Sequence, residues 1–161
     1  MSATQSLRIG VDIGGVCSIR SDDYESENKR VEIFDVKGCV ESLQILRGLG
    51  HKLYIISFCG RKRAQKTRGL IEHYYPELFE QLFFTKKKTY KNDVCLKVGC
   101  DVMIDDKEEV LATITQAHKI HFEGKKYLPA KNWGEVLRII KTLTPCTNNY
   151  DPSISLDGKA Y

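Results

Sequence analysis

Two short apolar runs each stop at carboxylates: Val11-Asp12-Ile13-Gly14-Gly15-Val16 near the start, and Val102-Met103-Ile104-Asp105-Asp106-Lys107 some ninety residues later. Read as buried strands of a parallel sheet, both place their acids at C-terminal strand ends, where open α/β sheets keep their ligand crevice. If the two strands are neighbours, oxygens of Asp12, Asp105 and Asp106 converge on one point. That set suits Mg²⁺, with water completing the octahedron. Ser57, after Leu53-Tyr54-Ile55-Ile56, and Lys91, ahead of Val94, Cys95 and Val98, stand at two further predicted element ends. Each of these residues also has a plainer account. Asp12 shapes a turn before two glycines, Ser57 caps the basic helix after it, Lys91 is solvated, and Asp105 or Asp106 caps the next helix.

The elements that must position these groups are legible from periodicity and punctuation. Leu7–Asp12 reads as a buried strand bounded by Gly14-Gly15. Residues 21–30 read as a loop or hairpin tip, and 31–36 as a short strand. Val40, Leu43, Leu46 and Leu49 recur at helical spacing before Gly50, which predicts a helix over 38–49. Strands follow at 53–57, 82–84, 101–104 and 119–122. Helices are predicted at 61–75 (stopped by Pro76), 91–98, 108–117 and 133–143, the last starting near Asn132. Such alternation predicts a three-layer, Rossmann-like α/β domain over 1–143: a central parallel sheet with helices on both faces. Residues 144–161 are polar and rich in Asn, Asp and Pro, and read as a docked or loose tail.

The 161 residues are 42% hydrophobic and 29% charged, ordinary values for a single globular domain. Net charge is +4, from 25 Lys and Arg against 21 Asp and Glu, but the excess is local. It lies in 61–68 (Arg61, Lys62, Arg63, Lys66, Arg68) and 86–91 (Lys86, Lys87, Lys88, Lys91). Such runs are usually solvated surface; the alternative is a phosphate-attracting rim, since both follow strand ends. The cysteines at 17, 39, 59, 95, 100 and 146 make no CxxC pair and no zinc spacing. With no signal-like start and no membrane-length apolar run, reduced thiols in a cytoplasmic or nuclear, non-secreted protein are expected.

With Asp12, Ser57, Lys91 and the Asp105-Asp106 pair on these elements, Leu7 to Leu143 resembles the haloacid dehalogenase-like hydrolase superfamily. Its first motif, an apolar strand ending in Asp-x-Asp-Gly-Thr or Val, is matched by Asp12-Ile13-Gly14-Gly15-Val16. The second, a Ser or Thr ending the next core strand, is matched by Ser57. The third, a Lys opening the helix before the last motif strand, is matched by Lys91 rather than Lys97. The fourth, an acidic pair, is matched by Asp105-Asp106. The resemblance implies that Asp12 attacks phosphorus and forms an aspartyl-phosphate, which water hydrolyses. It implies Mg²⁺ held by Asp12, the Gly14 carbonyl and one of the acidic pair. Asp106 is preferred as the direct ligand, with Asp105 behind it or orienting Lys91. Ser57, Lys91 and the amides of the Gly14-Gly15 turn would receive the phosphoryl oxygens.

Gly14 breaks the pattern. In phosphatase members a second Asp there protonates the leaving oxygen and later activates water, work that typically contributes ~10²–10⁴-fold. Three readings follow. A water held by Asp105-Asp106 or a residue from 20–31 substitutes. Or the leaving group is good, or the chemistry is not phosphoester hydrolysis, as in the dehalogenase and phosphonate-hydrolase members. Or the protein binds metal and phosphate with little turnover.

About forty residues separate Asp12 from the second core strand, and about thirty separate Ser57 from Lys91. Neither gap holds a separate cap domain, so the expected site is open. It would take a nucleotide, a nucleic-acid end or a phosphoprotein, or be capped by another subunit. The basic runs suit nucleic acid or a phosphate-rich ligand. Phe58, Tyr74, Tyr75, Phe84 and Tyr90 are candidate stacking residues, although core packing accounts for most of them. Ile9–Gly15 is also similar to the first phosphate loop of sugar kinases in the actin-like ATPase superfamily, but those need a second domain and a second Asp-Gly motif. The glycines do not make GxGxxG, which disfavours a dinucleotide site. The expected function is a Mg²⁺-dependent phosphomonoester hydrolase. The alternative is an acid-deficient relative that binds metal and phosphate, nucleic acid or a protein partner.

Overall fold

The two acid-ended apolar runs lie side by side, the arrangement under which their carboxylates converge. In the computed structural model, described for residues 5–19, 34–146 and 150–161, the strands are β1 (Arg8–Val11), β2 (Lys52–Phe58), β3 (Gln81–Thr85), β4 (Val102–Asp105), β5 (His118–Phe122) and β6 (Leu128–Ala130). They form one sheet in the order β3-β2-β1-β4-β5-β6, and every pair is parallel. The helices are α1 (Cys39–Gly48), α2 (Arg61–Tyr74), α3 (Lys91–Val98), α4 (Glu108–Leu111) and α5 (Trp133–Ile140).

Strand side chains alternate between faces, so two cores form. Ile9, Val11, Leu53, Ile55, Val102 and Ile104 meet α1, α2 and α5 on one face. Tyr54, Ile56 and Met103 meet α3 and α4 on the other. Each fully buried Leu, Ile or Val contributes roughly 1.5–3 kcal/mol, which explains why strands this short stay in register. The chain adds β2 and β3 on one side of β1, then crosses to add β4, β5 and β6 on the other. The order therefore reverses between β1 and β4, the position where such sheets open a crevice at their carboxyl ends.

Several boundaries differ from expectation. The helix predicted over 108–117 ends at Leu111. Beyond it, Thr113 Oγ1 donates to Val110 O at 2.7 Å, and Asn92 Oδ1 accepts from Thr115 N at 3.0 Å, so side chains take over from the helical ladder. The predicted strand over 31–36 fails in its described part: 34–36 lie in no strand, and 31–33 lie outside the described residues, as does the loop predicted over 21–30. Phe34 is instead buried by stacking on Tyr75, with ring centroids 5.0 Å apart. β6 was not foreseen, because Leu128-Pro129-Ala130 is short and carries a proline that only an edge strand tolerates. The last helix ends at Ile140 rather than 143, and its predicted start is capped by Asn132 Oδ1, which accepts from Glu135 N at 2.9 Å.

The described part of the tail is docked. Asp151 N donates to Leu96 O at 2.7 Å, and Lys97 Nζ donates to Ile154 O at 2.7 Å. Lys86 N donates to Lys159 O at 2.8 Å and Tyr161 N to Phe84 O at 3.0 Å, an antiparallel contact along the end of β3. Among the described residues no helix is long and apolar enough to cross a membrane, and all six cysteines are free thiols.

Candidate active site

β1 pairs with β4 so that Val11 lies opposite Ile104, and Asp12 N continues the ladder by donating to Ile104 O at 3.0 Å. Asp12 is thus level with Asp105, which itself pairs with His121 on β5. The strand ends bring three carboxylates together: one oxygen each from Asp12, Asp105 and Asp106 lie within 4.8 Å of one another. Asp12 is 5% exposed and Asp105 0%.

Lys91 comes from the first position of α3, beneath β1 and β4. Its Nζ lies 3.1 Å from Asp12 Oδ1 and 2.8 Å from Asp105 Oδ2, and the residue is only 2% exposed. A solvated lysine is therefore not what this position holds. Asp105 Oδ1 accepts from Lys107 N at 2.9 Å, so both oxygens of Asp105 are engaged within the protein. Asp105 turns the chain into α4 without being its cap residue, which is Lys107. Asp106 points its carboxylate at the turn after β1: a Cβ on Gly15 would run into Asp106 Oδ2, and Gly15 has φ +81°, so no side chain is accommodated there.

That turn is tightly wound. Val16, Cys17 and Ser18 all donate their amides to Ile13 O, at 3.1, 2.8 and 2.9 Å, and Gly15 N donates to Ser18 O at 2.8 Å. It is held from outside by Trp133, whose Nε1 donates to Val16 O at 2.9 Å. Gly14 is absent from the left-handed backbone positions, so its conformation does not demand glycine. Cys17 sits directly below the turn, with Sγ donating to Asp12 O at 3.4 Å. Burial, and then the neighbouring Cys39, push the Cys17 thiol well above its ordinary range, which makes it a packing group rather than a nucleophile. Ser57 is 6% exposed near the end of β2, one residue beyond the position level with Asp12. Its carbonyl accepts from Thr85 Oγ1 at 3.4 Å, and α2 after it has Gly60 as cap residue, so Ser57 does not cap that helix.

The electrostatics follow from burial. Removal from water raises the Asp12 carboxyl; Lys91 opposes the rise, and Asp105 and Asp106 add to it, leaving its pKa at about 7 instead of 3.8. For Lys91, burial works against the charge, but Asp12 and Asp105 outweigh it and hold the ammonium above its usual range. With all three carboxylates ionised, their charges and the Lys91 ammonium would sum to −2. An all-oxygen donor set at a buried point of that charge fits a hard divalent cation, so the cluster is able to hold a metal ion.

One participant escaped sequence reasoning. His121 is 7% exposed, and its Nδ1 lies 3.3 Å from Lys126 N. An amide only donates, so Nδ1 accepts and the proton sits on Nε2, which donates to Asp106 O at 3.2 Å. A Cβ on Gly124 would collide with the imidazole ring, so the loop after β5 closes over it. The signal in the sequence was only that His121 falls at the end of a predicted strand. Two cavities, of about 440 and 360 Å³, lie away from the carboxylates. One is beside the end of α2, and the other at the amino ends of the central strands near Arg8 and Asp101.

Known proteins give limited likenesses. No family model matches the chain. A protein of Oceanobacillus iheyensis, provisionally named a nucleotidase, is 28% identical over 92 residues, which is 56% of this chain and 49% of that protein. The chain thus spans about half the length of this curated relative. An uncharacterized protein from Listeria monocytogenes serotype 4b, known from its crystal structure, superposes with a TM-score of 0.56 at 15% identity. That match covers 85% of this chain and 99% of the other. The structural likeness concerns the fold: an α/β, Rossmann-like arrangement around a parallel sheet.

Proposed function

We propose that this protein is a Mg²⁺-dependent phosphohydrolase that cleaves phosphomonoesters through Asp12. The observation that carries the reading is a buried carboxylate, Asp12, at the sheet's switch point, clamped by Lys91 at 3.1 Å and facing two more acids within 4.8 Å. Order along the chain supports it, because Asp12, Ser57, Lys91 and Asp105-Asp106 follow the superfamily pattern. The relative's provisional name, nucleotidase, agrees with a phosphomonoester substrate.

In this reading an Asp12 oxygen attacks phosphorus, the P–O bond to the leaving group breaks, and water then hydrolyses the acyl phosphate, returning the carboxylate. Mg²⁺, held by Asp12, Asp106 and the Gly14 carbonyl, would supply neutralisation of the phosphoryl charge. Lys91 holds Asp12 Oδ1 and fixes the carboxylate's rotation. Asp105 keeps Lys91 in place, with both of its own oxygens engaged. Ser57 and the Gly14 amide would donate to phosphoryl oxygens, while the Gly15 amide of the expected cradle is already bonded to Ser18 O. No proton donor stands at position 14, so the leaving oxygen departs unassisted from that side. Turnover then favours esters whose leaving group needs no proton.

A second reading, metal and phosphate binding without turnover, is favoured by the same glycine. Thermal denaturation with Mg²⁺ and beryllium fluoride, a phosphoryl mimic, tests the common ground. The melting temperature should rise with Mg²⁺ and rise further with both present, and neither rise should appear in Asp12→Ala. Absence of any rise in the wild type contradicts both readings.

A further inference from the structure

Beside the carboxylates the strand ends carry cations paired with aromatic rings, and the tail supplies part of the set. β3 lies two strand spacings from β1, about 10 Å, so Lys86 and its neighbours are within a nucleotide or two of Asp12. Tyr161, brought there by its backbone pairing with Phe84, has Arg61 and Lys86 at 5.8 and 5.3 Å from its ring centroid. Tyr90 has Lys87 at 5.8 Å and the tail's Lys159 at 5.7 Å. Phe58, immediately after Ser57, has Lys88 at 6.0 Å.

Two observations say that this is more than glue for the tail. Phe58 and Tyr161 remain 45% and 39% exposed, large rings left open to water. The first turn of α2 carries Arg61, Lys62 and Arg63 and no acid, at the end where the helix dipole already favours negative charge. Acidic neighbours offset only part of the rim: Asp93 pairs with Lys159 at 3.2 Å and Glu109 with Lys88 at 3.6 Å. The burial-raised Cys59 thiol, between Phe58 and α2, feels both Arg63 and Asp12, so the rim and the carboxylates share one field. Two sequence candidates drop out, since Phe84 is fully buried and Tyr75 is stacked on Phe34.

We infer that this rim, completed by the C-terminal segment, binds a single-stranded polynucleotide whose terminal phosphate enters the Asp12 site. Cations beside open aromatic faces are the combination that grips a phosphate backbone while unpaired bases stack. A duplex offers no free base faces, and an acidic or phosphorylated peptide has no use for the rings. The terminal-phosphate clause rests on the phosphohydrolase reading; the rim itself does not.

The test is fluorescence anisotropy of the full chain, in EDTA, with a labelled oligothymidylate of about a dozen nucleotides and an abasic strand of equal charge. Binding should weaken with salt at a log–log slope of about −2 to −3, as for three or four phosphates. The abasic strand should bind at least about fivefold more weakly. Lys86→Glu with Lys87→Glu should cost about tenfold or more. Tyr161→Ala should narrow the gap between the two strands while Tyr161→Phe keeps it. Phe58→Ala, a change on β2 rather than in the tail, should narrow it independently. Lack of binding at about 50 mM salt, equal binding of the abasic strand, or charge-for-charge competition by polyglutamate overturns the inference. Strand binding without phosphate release from any ester would leave the rim standing and remove the phosphohydrolase reading. Release from small esters without strand binding would do the reverse.

Discussion

Asp12 must be ionised to attack phosphorus or hold a cation, yet the fold buries it and raises its pKa to about 7. Between about 4 and 7 the folded protein keeps a proton that the unfolded chain has lost, so the stability of the metal-free protein falls as pH rises through that window and then levels off. Asp12→Asn removes the charge and keeps the shape. At about pH 8, without metal, this variant should melt higher than the wild type, and the gap should narrow toward pH 5. Adding Mg²⁺ should stabilise only the wild type, more strongly at pH 8 than at pH 6. A melting series over pH, with and without metal, checks all three outcomes. Lys91 is the opposite case. Lys91→Met leaves Asp12 and Asp105 without their buried ammonium and should cost about 3–5 kcal/mol. Denaturant titration should show that loss easing as pH is lowered through about 7 and Asp12 takes up its proton.

At the scale of elements, precision comes from parts that carry no reacting group. The turn after β1 hangs between Ile13 O and the Trp133 indole, and Asp106 is braced from behind by His121. His121→Phe keeps the ring's bulk and removes the bond to the Asp106 carbonyl. It should weaken Mg²⁺ affinity by about 10–100-fold with little change in melting temperature, as isothermal titration would show. The strands and their terminal acids were readable because burial on both faces demands continuous apolar runs, and only a polar residue ends them. His121 was not readable, because its role is a bond to a backbone carbonyl brought near by the β4–β5 register. The overlong reading of the helix from Glu108 has the same origin. Its stop is set by Thr113, and by Asn92 on another element, which local periodicity does not encode.

The whole molecule is an open parallel sheet whose switch point faces outward, with β3 closed at one end by the tail. The sheet class follows from the alternation of elements. The tail's path does not, since its hold on β3 and α3 uses backbone groups from 150–161 and scarcely any apolar pattern. Deleting residues 150–161 should expose the β3 edge, lower the melting temperature by several degrees and promote self-association, measurable by calorimetry and light scattering.

The proposed mechanism stands on Asp12 as a working nucleophile in a site lacking the usual acid. Mg²⁺-dependent phosphate release from p-nitrophenyl phosphate and from an alkyl phosphate tests it in the wild type, Asp12→Asn and Gly14→Asp. Gly14 is not among the glycines held at positive φ. Turnover of the aryl ester should far exceed that of the alkyl ester in the wild type and be absent from Asp12→Asn. In Gly14→Asp the alkyl ester should gain about 10²-fold or more. Phosphate release that survives in Asp12→Asn, or silence in both the wild type and Gly14→Asp, would contradict it.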